Sequence, residues 1–199
     1  MKTIKLSALL AFLLLSFSAC KKLEDVAPTT PVTPVVSTAT NTVTPVKYDT
    51  IPDKAIFKLQ LVKDSSNYDE TMFIFDHKAS LNYSGNEDGA YFPGYGEESL
   101  ASISNDGKDL AINDLPFTQG MAIGLDMNVK TGGAYFFKLS YASKIPATMK
   151  IWVKDTYMKD SVDVRSGHYD FTVNKADANS YGSKRFQIIL KDSGQTSGK

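Results

Sequence analysis

The chain contains few side chains that could act as general bases, nucleophiles or soft metal ligands. It has two histidines, His77 and His168, and one cysteine, Cys20. His77 follows Asp76, and a histidine beside an aspartate is half of the arrangement used in nucleophilic catalysis. No second histidine lies near it in sequence, and no glycine pattern typical of a nucleophile turn accompanies it. We therefore interpret both histidines as solvated residues near strand ends and predict no catalytic residue.

Acidic side chains occur in closely spaced groups that suit a different chemistry. Two acidic pairs, at 87–88 and 97–98, are followed by Asp106 and Asp109. Paired carboxylates can serve as acid and base in sugar hydrolysis, or bind calcium through their oxygens. Asp106 and Asp109 are weak calcium candidates only, because residues 105–109 lack the spacing and the distal glutamate of a twelve-residue calcium loop. Our interpretation is that these carboxylates are solvated, and we predict no bound metal and no cofactor.

Aromatic side chains offer a binding chemistry instead. Tyr91, Phe92 and Tyr95 lie in a long glycine-rich segment, residues 82–98, that has few aliphatic neighbours. Long loops in compact domains are usually functional or mobile. Together with Trp152, the only tryptophan, these rings could form a platform for the C–H face of a sugar ring. The alternative is that the loop folds over one end of the domain and buries its own rings.

Trp152 is predicted to point away from the core. Its neighbours Ile151 and Val153 have the opposite parity on a period-two strand and are predicted to face inward. An outward Trp152 could contribute to the platform. The alternative is that it packs under a loop or between Lys150 and Lys154.

The N-terminus indicates export and lipid attachment. Lys2 and Lys5 precede an uncharged apolar run, residues 6–15, and small residues follow up to Cys20. This is the pattern of a secretory signal peptide, and the run is too short for a membrane span. Residues 17–20, Phe-Ser-Ala-Cys, resemble a bacterial lipobox with Phe in place of the usual Leu. The resemblance implies cleavage before Cys20, a diacylglycerol thioether on its sulfur and anchoring in a membrane.

A tether and a folded domain follow the predicted signal peptide, residues 1–19. Residues 20–52 are rich in Pro, Thr and Val, contain five of the eight prolines, and are predicted to be a disordered linker. Residues 53–192 carry nine or ten short runs of period-two apolar residues separated by Gly, Asn, Asp and Pro. This pattern predicts an all-β fold, an antiparallel β-sandwich of the jelly-roll or immunoglobulin-like kind. Asp106-Gly107 predicts a hairpin, and residues 193–199 are predicted to be disordered.

The domain contains a series of short motifs at residues 69–75, 102–113, 115–117, 124–125, 151–155, 169–173 and 185–190. Together these motifs resemble an uncharacterised β-sandwich of Bacteroidota surface proteins that often lies near type IX secretion sorting tails. The resemblance covers about residues 56–191, and the family has no established catalytic residues. Residues 21–25, Lys-Lys-Leu-Glu-Asp, also resemble the export signal of surface lipoproteins in that phylum.

Composition sets the outer limits of function. The chain has 22 basic and 22 acidic side chains, so no net field directs it toward nucleic acid. One cysteine excludes a disulfide framework. We expect an outer-membrane lipoprotein, on the cell surface or the periplasmic face, that displays a non-catalytic β-sandwich for binding, adhesion or structural display. Its expected partners are the membrane and a glycan or another envelope protein. The alternative is a glycan-binding accessory of a polysaccharide-uptake system, and a hydrolase is disfavoured.

Overall fold

The computed structural model describes residues 51–193. The predicted signal peptide, Cys20, most of the predicted tether and all but the first residue of the predicted tail lie outside the described residues. The described residues form eleven strands and one short 3-10 helix at Ala178–Ser180, with no α-helix among them. The strands are β1 Ala55–Val62, β2 Tyr68–Phe75, β3 Gly89–Ala90, β4 Glu98–Ile103, β5 Asp109–Leu115, β6 Ala122–Val129, β7 Gly133–Ser143, β8 Met149–Asp155, β9 Asp160–Asp163, β10 His168–Val173 and β11 Phe186–Asp192.

Each long strand buries one face, as the period-two pattern predicts. In β1, the side chains of Phe57, Leu59 and Leu61 are fully buried, while those of Lys58 and Gln60 are only half-buried. Residues of the same parity from β2, β4, β6, β7, β8, β10 and β11 join them in one hydrophobic core. The all-β prediction is therefore confirmed, and burial of these alternate side chains is what holds the strands in register.

The strands form one sheet in the order β10-β7-β1-β2-β5-β4-β6-β11-β8-β9, and β3 pairs with β5 outside this path. All pairings within the described residues are antiparallel except that of β2 with β5. A purely antiparallel sandwich is thus not confirmed, because the sheet is mixed. The strands β3 and β4 lie between β2 and β5 in the sequence, and this long connection lets β5 pair with β2 in the parallel direction. A tight hairpin joins only antiparallel strands.

The sheet curls until its two ends approach each other. Phe137 lies on β7, the second strand in the order, and Phe186 lies on β11, the eighth, yet their ring centroids are 4.9 Å apart. On a flat sheet six strand spacings would separate these strands by roughly 29 Å. Phe171 of β10, the first strand, is also 4.7 Å from Phe186. The core is therefore enclosed by a nearly closed sheet.

The predicted hairpin is present between β4 and β5. Gly107 has φ of +82°, a conformation that glycine adopts without the steric cost a Cβ would bring. Ser104 closes the turn, because its hydroxyl accepts a hydrogen bond from Lys108 N at 2.9 Å and its carbonyl accepts one from Gly107 N.

Candidate functional site

The aromatic residues of the segment 82–98 are not equivalent in the structure. Tyr91 is half-buried, and its hydroxyl donates to Asp69 Oδ2 at 2.8 Å. Burial, together with the nearby Asp69 carboxylate, raises the pKa of Tyr91 to about 12. Phe92, by contrast, is 82% exposed, and Tyr95 is fully exposed. The segment therefore presents Phe92 and Tyr95 to solvent and uses Tyr91 to fasten itself to the start of β2.

Trp152 lies at the centre of β8 and faces outward, as the parity of its strand predicts. Ile151 and Val153 on either side are fully buried, whereas Trp152 is half-buried. Its backbone pairs with Ile189 on β11 and with Asp163 on β9. The indole is thus part of the outer surface of the sheet, with one strand on each side of it.

The structure does not bring Trp152 together with the aromatic residues of segment 82–98. Trp152 pairs with Ile189, which in turn pairs with Ala122 at the start of β6. Tyr95 lies near the other end, because Lys130, the residue after β6, contacts its carbonyl with Nζ at 3.5 Å. Eight strand residues span roughly 27 Å. A single platform of Tyr91, Phe92, Tyr95 and Trp152 is therefore not formed.

A groove surrounds Trp152 on the outer face of β8, β9 and β11, with a volume of about 420 Å³. We call it the Trp152 groove. Its lining combines an aromatic ring and an aliphatic side chain with three cations, two hydroxyls and one carboxylate. The lining residues are Lys150, Trp152, Lys154, Ser161, Ile189, Lys191, Asp192 and Ser193.

Only one of the three groove lysines is neutralised by a partner. Lys150 Nζ lies 2.9 Å from Asp163 Oδ2. Within residues 51–193, Lys154 and Lys191 form no ion pair. Two cations thus border the indole without a carboxylate on their ammonium groups.

A second concave surface, of about 690 Å³, lies where the β8–β9 turn approaches β10. Two of its tyrosine hydroxyls already have carboxylate partners. Tyr169 OH donates to Asp155 Oδ2 at 3.1 Å, and Tyr157 OH donates to Asp177 Oδ2 at 3.0 Å. Its lining holds one cation, Lys159, so this surface offers a ligand less positive charge than the Trp152 groove.

The main acidic partner of His77 is Asp53 rather than Asp76, its neighbour in the sequence. Its Nδ1 is hydrogen-bonded to Asp53 Oδ2, and its backbone N–H donates to Asp53 Oδ1 at 3.1 Å. These hydrogen bonds lower the pKa of Asp53. Asp76 completes a group of three whose possible ligand atoms lie within 4.8 Å of one another. Lys54 already supplies a cation there, with Nζ 2.7 Å from Asp76 Oδ2.

His168 is exposed and pairs with Asp170 on its own strand.

The acidic residues highlighted by the sequence serve mainly as local hydrogen-bond acceptors. Asp106 accepts from Tyr83 N at 2.9 Å and from the Ser104 hydroxyl at 2.7 Å, and these bonds lower the pKa of Asp106. Asp109 lies at the first residue of β5. Burial raises the pKa of Asp126, and the nearby Asp109 carboxylate adds to the effect. Asp106 and Asp109 are not part of the group of three potential metal ligands found in residues 51–193.

The acidic pairs at 87–88 and 97–98 are divided between surface and interior. Asp88 accepts from Ser84 N and from Asp114 N, both at 2.8 Å, so it ties the segment to β5. Glu97 is exposed near Lys63, whereas Glu98 is buried at the start of β4. This division does not present two carboxylates to a common substrate.

Comparisons with known proteins identify no relative: no family matches the chain, and neither the curated proteins nor the solved structures contain a significant match. Within the described range, no helix is long and apolar enough to cross a membrane.

Part of the lining of the Trp152 groove was predictable from the sequence as one outward face of a strand, and part was not. Lys150 and Lys154 lie two residues from Trp152 on the same strand, so the alternation places all three on one face. Ile189 and Lys191 belong to β11, more than thirty residues later in the chain, and reach the groove only because β11 pairs with β8. The alternation along β11 could have identified their facing. Ile188 and Leu190 are buried, so the residues that alternate with them, Ile189 and Lys191, lie on the outer face.

Proposed function

We propose that this protein is a lipid-anchored envelope protein whose β domain is a non-catalytic binding module. The observation that carries the binding role is the Trp152 groove, where an indole face lies among three lysines on the outer surface of the sheet. The curled sheet is proposed to act as a sandwich-like body that holds this surface rigid. The proposed lipid anchor rests on Cys20 and on the resemblance of residues 17–20 to a lipobox. With this anchor we propose a location at the outer membrane and a β domain attached through a tether. We also propose kinship with the Bacteroidota surface domain.

The groove favours binding over hydrolysis. Glycoside hydrolysis uses two carboxylates on opposite sides of the scissile bond. The lining of the Trp152 groove contains one carboxylate, that of Asp192. Its remaining polar groups are lysines and serines, which hold a ligand by hydrogen bonds and charge. This is the chemistry of recognition rather than of bond cleavage.

A glycan-binding accessory of a polysaccharide-uptake system is the second proposal. The indole of Trp152 is the observation that favours it, because aromatic side chains provide large and rigid contact area with few rotatable bonds. Sugar rings present C–H groups that pack on such a face. Structural display, or adhesion through a protein partner, is the more general form of the binding function that we propose.

Anchoring is tested by metabolic labelling with radioactive palmitate and by membrane fractionation. We expect the wild type to be labelled and retained in membranes, and Cys20→Ser to be unlabelled and released from the membrane fraction. Equal labelling of the two proteins would overturn the lipid anchor.

Binding and catalysis are tested together with a panel of polysaccharides, each assayed for retention of the protein and for new reducing ends. We expect retention on at least one glycan, weakened by Trp152→Ala and unchanged by Tyr95→Ala, with no new reducing ends. Release of reducing ends would overturn the non-catalytic role. If the Trp152→Ala variant is retained on the glycan as strongly as the wild type, the binding site does not lie in the Trp152 groove.

A further inference from the structure

The Trp152 groove has a regular layout that follows from strand pairing. Lys150, Trp152 and Lys154 occupy alternate positions of β8, so neighbouring members of this row are about 7 Å apart. On β11, Ile189 is directly opposite Trp152, and Lys191 is opposite Lys150. Lys154 therefore lies on one side of the indole along the strand, and Lys191 lies diagonally on the other side.

The charges of the groove are unevenly satisfied. Lys150 is held by Asp163, which is buried and also accepts from Ile151 N at 3.2 Å and from Arg165 N at 3.1 Å. Asp163 Oδ1 thus supports the backbone of β8 and of the turn after β9, while its Oδ2 faces Lys150. Lys154 and Lys191 have no ion-pair partner within residues 51–193, and both line the groove. The lining also contains the carboxylate of Asp192, but with three lysines its net charge is positive. Two lysines on either side of an aromatic face are therefore complementary to a ligand that is itself negative.

We propose that the Trp152 groove binds an acidic oligosaccharide, in which pyranose rings carry carboxylate or sulfate groups. The C–H face of one ring packs on the indole of Trp152, and anionic groups on the flanking rings contact the ammonium groups of Lys154 and Lys191. The Cα atoms of these lysines are roughly 14 Å apart from the strand geometry. A ligand of several rings spans this separation, so we specify an oligomer rather than a monosaccharide. The proposal rests on the binding function proposed above and specifies its ligand class.

Other anionic polymers fit the groove less well. Single-stranded nucleic acid is bound by successive aromatic platforms, one for each stacked base. The lining of the groove holds one aromatic ring, and its aliphatic neighbour Ile189 cannot stack a base. A neutral glycan would leave Lys154 and Lys191 without a charged partner. An acidic glycan uses both the single ring and the two free cations.

The test uses the fluorescence of the only tryptophan in the chain, so the signal reports on this groove alone. The purified full chain is titrated with tetragalacturonate and with a chondroitin sulfate tetrasaccharide. The matched control ligand is tetragalacturonate with its carboxylates methyl-esterified, which keeps the rings and removes the charge. We expect saturable changes in emission with at least one acidic ligand, weakened by added salt, and no comparable change with the ester.

Substitutions of single lysines test which cations contact the anionic groups of the ligand. Lys154→Gln and Lys191→Gln are each expected to weaken binding by about 1.5- to fivefold, the range for an exposed ion pair. Lys138→Gln on β7 removes a cation remote from the groove and is expected to leave the dissociation constant unchanged. These lysines are at the surface, so the circular dichroism spectra of all three variants should match that of the wild type.

The outcomes separate this inference from the proposed function. Equal binding of the acidic and esterified ligands, with no effect of either lysine substitution, would overturn the acidic specificity and leave the groove a glycan site. No response of Trp152 to any glycan, acidic or neutral, would overturn both. An oligothymidylate or anionic lipid vesicles that bind as tightly as the acidic tetrasaccharides would also overturn the inference, because the groove would then recognise charge alone.

Discussion

Arg185 is a buried cation that joins separate parts of the sheet. Its guanidinium donates to Asp155 Oδ2 from Nε at 3.0 Å and from Nη2 at 2.8 Å, and neither side chain is exposed. Nη1 donates to the carbonyls of Thr172 and Ser180. Tyr169 OH donates to the same Asp155 oxygen. The buried charge is thus compensated and hydrogen-bonded, the condition under which such a pair persists in a core.

Removing one partner of this pair is expected to be strongly destabilising. Arg185→Met leaves the Asp155 carboxylate buried without its cation, so the free energy of unfolding should fall by about 3–5 kcal/mol. The matched control is Lys58→Met, which breaks a partly exposed pair with Glu70 and should cost no more than about 1 kcal/mol. Urea denaturation measures both. Similar midpoints for the two variants would show that the Arg185 pair does not stabilise the fold.

Glu98 is a buried carboxylate with an unsatisfied oxygen. Its Oε1 has no hydrogen-bond partner among the described residues, and the side chain is buried at the start of β4. Burial raises the pKa of Glu98 above its ordinary value of 4.5, although the charge of Lys63 opposes the shift. The folded protein therefore binds a proton at this site more tightly than the unfolded chain does.

The consequence is a stability penalty at neutral pH. Because the folded-state pKa is the higher one, the penalty is absent below the ordinary pKa, grows as the pH rises through the folded-state value, and is complete above it. Glu98→Gln removes the charge and should raise the free energy of unfolding at pH 7 by about 1 kcal/mol. The gain should vanish near pH 4. Urea melts at a series of pH values measure it, and a variant less stable than wild type at pH 7 would contradict the argument.

At the scale of elements, β10 and β7 form an aromatic wall that closes the curled sheet. Phe171 of β10 lies 5.0 Å from Phe137 of β7 and 4.7 Å from Phe186 of β11, measured between ring centroids. Phe171→Ala should lower the free energy of unfolding by about 3–5 kcal/mol, the range for a buried aromatic. Asp170→Ala, on the exposed face of the same strand, should change it by less than about 0.5 kcal/mol. A small loss for Phe171→Ala would mean that the sheet closes without this ring.

The facing of the strands was predictable from the sequence, but their neighbours were not. Alternation alone places Phe57, Leu59 and Leu61 on one face, and the Asp-Gly turn identifies the β4–β5 hairpin, because both signals are local. The insertion of β11 between β6 and β8 joins segments far apart in sequence and has no local signal. The parallel pairing of β2 with β5 is hidden for the same reason.

The same limit explains the site. Trp152 was predictable as an outward residue, whereas Lys191 becomes its neighbour only through the β8–β11 pairing. Arg185, just before β11, gives no sign of burial in the sequence, because a charged residue at a strand end usually faces water. Its burial follows from the closing of the sheet around Asp155.

At the scale of the molecule, one end of the chain is proposed to attach it to a membrane and the β domain to carry recognition. Among the concave surfaces of residues 51–193, the Trp152 groove is the one that combines an aromatic ring with two lysines that form no ion pair. The exposed Tyr95 lies toward the opposite end of β6, so ligand binding at the two places is distinguishable by position.

The most direct test is a map of backbone amide chemical shifts in ¹⁵N-labelled protein, recorded with and without saturating tetragalacturonate. We expect the largest shifts on residues 150–154 of β8 and 189–191 of β11, while the amide signals of residues 83–95 keep their ligand-free positions. Shifts concentrated at Phe92 and Tyr95, or no shifts at all, would contradict it.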